Sequence, residues 1–228
     1  GHGDSGPRTH QVANYGYDDF VVCDLPAIHA FARSRGWRRL PVVLVGHALG
    51  GHAGLAAQGA GLVGFDAVLA VGANVWLAAL ERSRGRWLIK RASLATILAT
   101  SRRLGRFPAR ALRLGSDDVA RGCCEDLERF ARTGQWGSSD GRVDYLGALS
   151  RVRVPVLQMV SDGDRIECTP DCGARFVAHC GGPHETLRIT RSDDGGAPPD
   201  HRGLVISSGT RSAWERAEAW IRRVALAF

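Results

Sequence analysis

Residues 46–50 read Gly46-His47-Ala48-Leu49-Gly50 and follow the apolar run from Leu40 to Val45. A strand, a tight turn and a small-residue helix in this order form a turn that displays a nucleophile. In G-x-S-x-G the central serine sits on a sharp bend, and glycines on both sides let strand and helix crowd together. Gly46 and Gly50 hold those places, and Gly51 adds further room. The central position is Ala48. A methyl group has no proton to give up, so the pattern keeps the turn and lacks the hydroxyl.

Other residues have types suited to proton chemistry. Ser161-Asp162-Gly163-Asp164 follows the apolar run 154–160. An aspartate there can orient a histidine, although aspartate is also simply a good turn residue. Asp164 is the preferred acid and Asp162 the fallback. Pro199-Asp200-His201-Arg202-Gly203 contains the only histidine after the last expected strand. A histidine there can take a proton and return it. His184 precedes that strand and is the weaker candidate. His47 and His52 flank the turn, where histidines pack or orient more often than they catalyse.

Cys168, Cys172, His179, Cys180 and His184 lie within a short stretch. Their gaps lack the close ligand pair of a zinc site. The six cysteines are therefore expected to be small buried residues and surface thiols, with no metal and no cofactor. A reducing, cytoplasmic setting follows as the default.

These residues need elements to position them. Tyr17 to about Arg35 has helical apolar spacing, with Asp18 and Asp19 in its first turn, and Gly36 ends it. The run 40–45 reads as a parallel strand buried on both faces. A small-residue helix follows from Gly50 to about Gln58, then a strand at Val68–Val71 ending at Gly72. From Val75 to Arg151 the strand–helix alternation stops. That segment holds an amphipathic stretch from Trp87 to Leu104, a Gly/Pro-punctuated piece, and a second helical stretch from Val119 to Arg132. It reads as a mainly helical cap. Alternation resumes with a strand at 154–160, a helix at about 169–179, a strand at 185–190 and a terminal helix from Ser212. The apolar face of that last helix is Trp214, Ala217, Trp220, Ile221 and Val224.

The chain has 228 residues, a formal charge of +7 and 44% hydrophobic residues. These values suit one packed domain with an insertion. Only Lys90 is a lysine; the other basic residues are arginines. There is no basic stripe interleaved with aromatics, so nucleic-acid binding is not expected. Arg82, Arg84, Arg86, Arg91, Arg102, Arg103, Arg106, Arg110 and Arg113 crowd the cap. They read as its solvated face; docking on anionic headgroups is a weaker alternative. No run approaches the ~20 apolar residues that span a bilayer.

Taken together, the residues resemble the α/β-hydrolase superfamily, in its esterase- and lipase-like bacterial members. The resemblance rests on Gly1-His2-Gly3-Asp4-Ser5-Gly6, on Gly46-His47-x-Leu49-Gly50-Gly51, on Asp164 and on His201. It implies an α/β fold with a mostly parallel, doubly wound sheet. Residues 1–74 and 152–228 would form the core, and 75–151 a helical cap. It implies acyl-ester hydrolysis, with position 48 as nucleophile, His201 as base and Asp164 orienting the base. The Leu49 N–H would be one oxyanion donor, with Gly46, His47 and Gly50 shaping the turn. The partner would be a small acyl ester. The family has about eight strands and this chain supplies roughly the last four. The sequence is therefore expected to be a piece of a longer protein, or to need a partner. With Ala48 at the turn, hydrolysis is expected to be severely impaired; the alternative is a non-catalytic protein that binds a small acyl ligand. The acyl group, the leaving group and the oligomeric state are not encoded legibly.

Overall fold

The computed structural model describes residues 15–35 and 40–225. The opening glycine-histidine segment and Gly36 lie outside the described residues.

The first helical stretch has three parts: α1 (Tyr17–Asp19), a π turn (Phe20–Asp24) and α2 (Leu25–Ser34). The single helix expected here is thus interrupted. Pro26 has no N–H to give to the carbonyl four residues back, and the wider turn before it takes up the loss. In that turn the Leu25 N–H reaches the Phe20 carbonyl.

Strand β1 (Val43–His47) leads into α3 (Leu49–Gly59), and β2 (Ala67–Val71) follows. A long helix, α4 (Arg84–Leu104), starts where the Ser83 side chain accepts the Arg86 N–H and stops at Gly105, at φ 75°. Two short antiparallel strands come next, β3 (Arg106–Phe107) and β4 (Val119–Ala120). This hairpin is not legible in the sequence. Then come α5 (Arg121–Thr133) and α6 (Tyr145–Ala148). The remaining elements are β5 (Val156–Ser161), α7 (Pro170–Val177), β6 (His184–Ile189), α8 (Gly203–Ile206) and α9 (Arg211–Ala225). Thr169 caps α7 by accepting the Cys172 N–H, and Pro170 sits where a missing N–H costs nothing.

The main sheet is parallel throughout, in the order β1-β2-β5-β6. Its β2 strand is buried at every residue. Alternate side chains divide two cores: Val68 and Ala70 face a cluster with Leu55 and Phe176, while Ala67, Leu69 and Val71 face Ala213, Ala217 and Trp220 of α9. The apolar face expected of the terminal helix is the one that packs here. β1 departs from expectation. It begins at Val43, and Val45 is 50% exposed, because β1 is the edge strand among the described residues.

Helices α4 and α5 pack on each other, and with the β3–β4 hairpin they enclose a small cluster of Phe107, Ala109 and Cys124. Five of the nine arginines singled out in this region are ion-paired: Arg82, Arg86, Arg91, Arg102 and Arg106. Tyr145 and Leu149 belong to the main core. No described helix is long and apolar enough to cross a membrane.

Candidate active site

The turn between β1 and α3 is sharp and crowded. Ala48 is the N-cap of α3 and holds φ 46°, ψ −115°, a conformation that side chains rarely adopt. Such a residue costs on the order of 1–3 kcal/mol. Its N–H is tied to the Val71 carbonyl at 2.9 Å, and its carbonyl accepts the Gly51 and His52 N–H groups. The glycines do not contribute equally. A Cβ on Gly46 would stand 2.6 Å from the Gly51 Cα, and one on Gly51 would stand 2.6 Å from the Ala73 Cβ. A Cβ on Gly50 would meet nothing within 4 Å. The crowded pair is therefore Gly46 and Gly51, and Gly50 is not sterically required. Leu49 opens α3, so its N–H is among those the helix leaves unpaired.

The structure brings Asp164 and His201 together. His201 Nδ1 lies 2.5 Å from Asp164 Oδ2. Asp164 is 1% exposed, and its other oxygen accepts the Cys168 N–H at 3.0 Å. Burial opposes its ionisation. The His201 hydrogen bond and charge, with the Cys168 N–H, more than offset this and hold its pKa below the usual carboxylate value. The sequence alternatives stand elsewhere. Asp162 pairs with Arg188 at 2.6 Å, and His184 is exposed and faces the Gly182 carbonyl.

The loop carrying His201 is stitched to the turn carrying Asp164. The Ser161 hydroxyl donates to the Pro199 carbonyl at 2.5 Å and accepts the Gly163 N–H. A side chain on Gly163 would collide with the Pro198 and Pro199 carbonyls. Gly72, at φ +57°, lets the chain pass beneath the imidazole: a Cβ there would lie 3.1 Å from His201 Cε1. His47 Nε2 lies 3.1 Å from the His201 carbonyl, and the two rings are 4.7 Å apart. Burial, then the neighbouring His201, lowers the His47 pKa.

Ala48, Leu49, Gly72 and His201 line one cavity of about 200 Å³. It opens at the carboxyl ends of the strands, where parallel sheets place ligands. Its apolar walls come from Val75, from Leu94 and Ile97 of α4, and from Leu127 and Phe130 of α5. Three polar residues in the wall were not anticipated as such: His52, Asn74 and Glu167. His52 was placed beside the turn; the signal for the other two is only their nearness in sequence to a strand end and to Asp164. Burial, then the Asp164 charge, raises the Glu167 pKa. Among the described residues no group of three or more His, Cys, Asp or Glu is arranged to hold a metal ion. Cys123, Cys124, Cys168, Cys172 and Cys180 are buried free thiols, and Cys23 is exposed.

This architecture is the α/β-hydrolase fold. No protein-family model and no curated protein matches the chain. Solved structures do. A structure from the metagenome-derived lipolytic enzymes LipS and LipT matches with a TM-score of 0.59 at 17% identity, covering 96% of this chain and 78% of that one. The monoacylglycerol lipase of Paleococcus ferrophilus matches with a TM-score of 0.55 at 13% identity, covering 93% and 77%. The esterase domain of a Rhodothermus marinus protein matches with a TM-score of 0.51 at 22% identity, covering 88% and 67%. At these identities the likeness establishes the fold.

Proposed function

We propose that this site descends from an ester-hydrolysing one and binds a small acyl ester. His201 is its base, Asp164 orients that base, and Ala48 occupies the nucleophile's place. The observation that carries the reading is the 2.5 Å contact between His201 and Asp164 in the wall of the cavity that also holds Ala48. A histidine so paired is oriented to accept a proton at its other nitrogen. The Leu49 N–H would support the developing oxyanion. The 75–151 segment acts as the cap, since α4 and α5 supply the cavity's outer apolar wall. An ester needs no cofactor for hydrolysis, only water.

Ala48 closes the acyl-enzyme route. In serine hydrolases, loss of the nucleophile lowers turnover on the order of a millionfold. The chain as it stands therefore binds an acyl ester and turns it over poorly, if at all. A purely binding role is the second reading, favoured by the missing hydroxyl itself.

The deciding experiment compares p-nitrophenyl acetate and butyrate hydrolysis by this chain and by its Ala48→Ser variant. Turnover that appears with serine and vanishes again on adding His201→Ala supports the hydrolytic lineage. Turnover that appears with serine and survives His201→Ala rules out the assigned base. A folded Ala48→Ser protein without turnover moves the reading to binding.

A further inference from the structure

Two polar side chains, Asn74 and His52, stand in the cavity wall beside the turn. Asn74 is 8% exposed, and its Oδ1 is buried with no hydrogen-bond partner. His52 is 5% exposed. Its Nδ1 is taken by the Tyr17 hydroxyl at 2.8 Å, which leaves Nε2 as its other polar atom. Both residues line the cavity, amid Leu49, Val75, Leu94, Ile97, Leu127 and Phe130. In the same wall His201 Nδ1 is held by Asp164, and the Glu167 backbone carbonyl accepts the Trp76 indole N–H.

The two residues follow two positions that pack on each other. Gly51 and Ala73 are in close contact, and each is followed directly by one of the pair. Ala48 and His52 lie four residues apart, so His52 follows position 48 along one face of α3. Both residues share the cavity wall with Ala48.

An unpaired buried polar atom is costly, and proteins keep few of them. A cavity lined with Leu, Ile and Phe has no need of the one at Asn74. We infer that His52 and Asn74 form a polar subsite for a hydroxyl group, so that the cavity takes a short hydroxyacyl chain in preference to a plain hydrocarbon chain. This rests on the cavity being the acyl-ester site. A hydroxyl suits the pair because it both donates and accepts. It satisfies His52 Nε2 whichever ring nitrogen carries the proton, and it satisfies the Asn74 amide in either orientation. A charged substituent suits it poorly. Burial keeps His52 neutral, with a pKa pushed down to about 3. The volume sets the chain length: at ~30 Å³ per water-sized group, the cavity holds about six heavy atoms.

The test is calorimetric titration of the unmodified chain with ethyl butyrate and with ethyl 2- and 3-hydroxybutyrate. The expected result is that one hydroxy ester binds at least tenfold more tightly than ethyl butyrate. Asn74→Leu is expected to erase that preference while leaving ethyl butyrate binding in place. Asn74 Oδ1 has no protein partner to lose, so the variant should fold, which its thermal melt checks. His52→Phe is the second variant, checked by its thermal melt. Equal binding of all three esters overturns the inference and leaves the ester-site reading intact. Binding of none of them overturns that reading, and the inference with it.

Discussion

His201 Nδ1 sits 2.5 Å from Asp164 Oδ2, although neighbouring Ala48 offers no hydroxyl for the imidazole to activate. The pair is held from three sides. The Cys168 N–H fixes the carboxylate, the Ser161 hydroxyl ties the two loops, and Gly72 leaves room beneath the ring. In an Ala48→Ser background, Asp164→Asn is expected to keep the fold and to lower kcat by about 10⁴-fold, the loss that follows when the histidine is held in the wrong tautomer. Steady-state hydrolysis of p-nitrophenyl butyrate measures it. A loss of less than tenfold would show that the contact does not set the imidazole's orientation.

The turn between β1 and α3 makes a prediction about its glycines. Gly51→Ala forces a Cβ to 2.6 Å from Ala73 Cβ and 2.7 Å from the Gly46 carbonyl oxygen. Overpacking of this kind costs about 1–3 kcal/mol. Gly50→Ala adds a methyl to open space in a helix. It is expected to stabilise by roughly 0.5–1 kcal/mol, because alanine is the better helix former. Urea denaturation of the two variants should move in opposite directions. Equal midpoints would contradict the packing described here.

The contrast between these glycines shows what the sequence carries. The turn, its strand and its helix were legible because they are local: an apolar run, then small residues at fixed spacing. Asp164 and His201 were singled out by their places after two strands, and the fold brings these two side chains to 2.5 Å. The roles within the turn were not. Gly50 completes the G-x-x-x-G pattern, yet Gly51 is the residue pressed against Ala73. That contact joins α3 to the end of β2 and exists only after folding. His52 and Asn74 follow the two residues of that contact, and their place in one cavity wall was hidden too. The π turn before Pro26 and the short β3–β4 hairpin were also missed, since pairing of two-residue strands leaves no periodicity to read.

His52 gives the protein a pH dependence. Its pKa is pushed down to about 3 by burial, from an ordinary value of 6.5. Both folded and unfolded states carry it neutral above that ordinary value, so stability is undiminished there. As pH falls below 6.5 the unfolded chain takes up a proton that the folded chain refuses until about 3. Stability therefore declines across this window, on the order of 2 kcal/mol by about pH 4.5 from this group. Urea midpoints at about pH 7 and about pH 4.5, compared between the unmodified chain and His52→Gln, isolate the effect. The variant should lose less stability on acidification; an identical loss would mean that His52 titrates normally.

The last prediction concerns the anchoring of α4. Lys90 and Glu81 form an ion pair at 3.0 Å, with side chains 1% and 2% exposed. Arg86 shares the same carboxylate oxygen at 3.0 Å, and the Cys172 thiol donates to it at 3.4 Å. Burial opposes the charge on Glu81, but Arg86, the Ser83 N–H and Lys90 outweigh it and bring its pKa down to about 2. Removing one partner of a buried pair leaves a charge without its counterpart, which costs about 3–5 kcal/mol. Arg86 remains after Lys90→Met, so the loss should fall near the low end, about 3 kcal/mol. Adding Glu81→Gln should cost little more, because the stranded charge is gone, and the two losses should be far from additive. A double-mutant cycle by urea denaturation measures the coupling. Simple additivity would mean that the two side chains are solvated independently, and that α4 is held to the core by its apolar contacts alone.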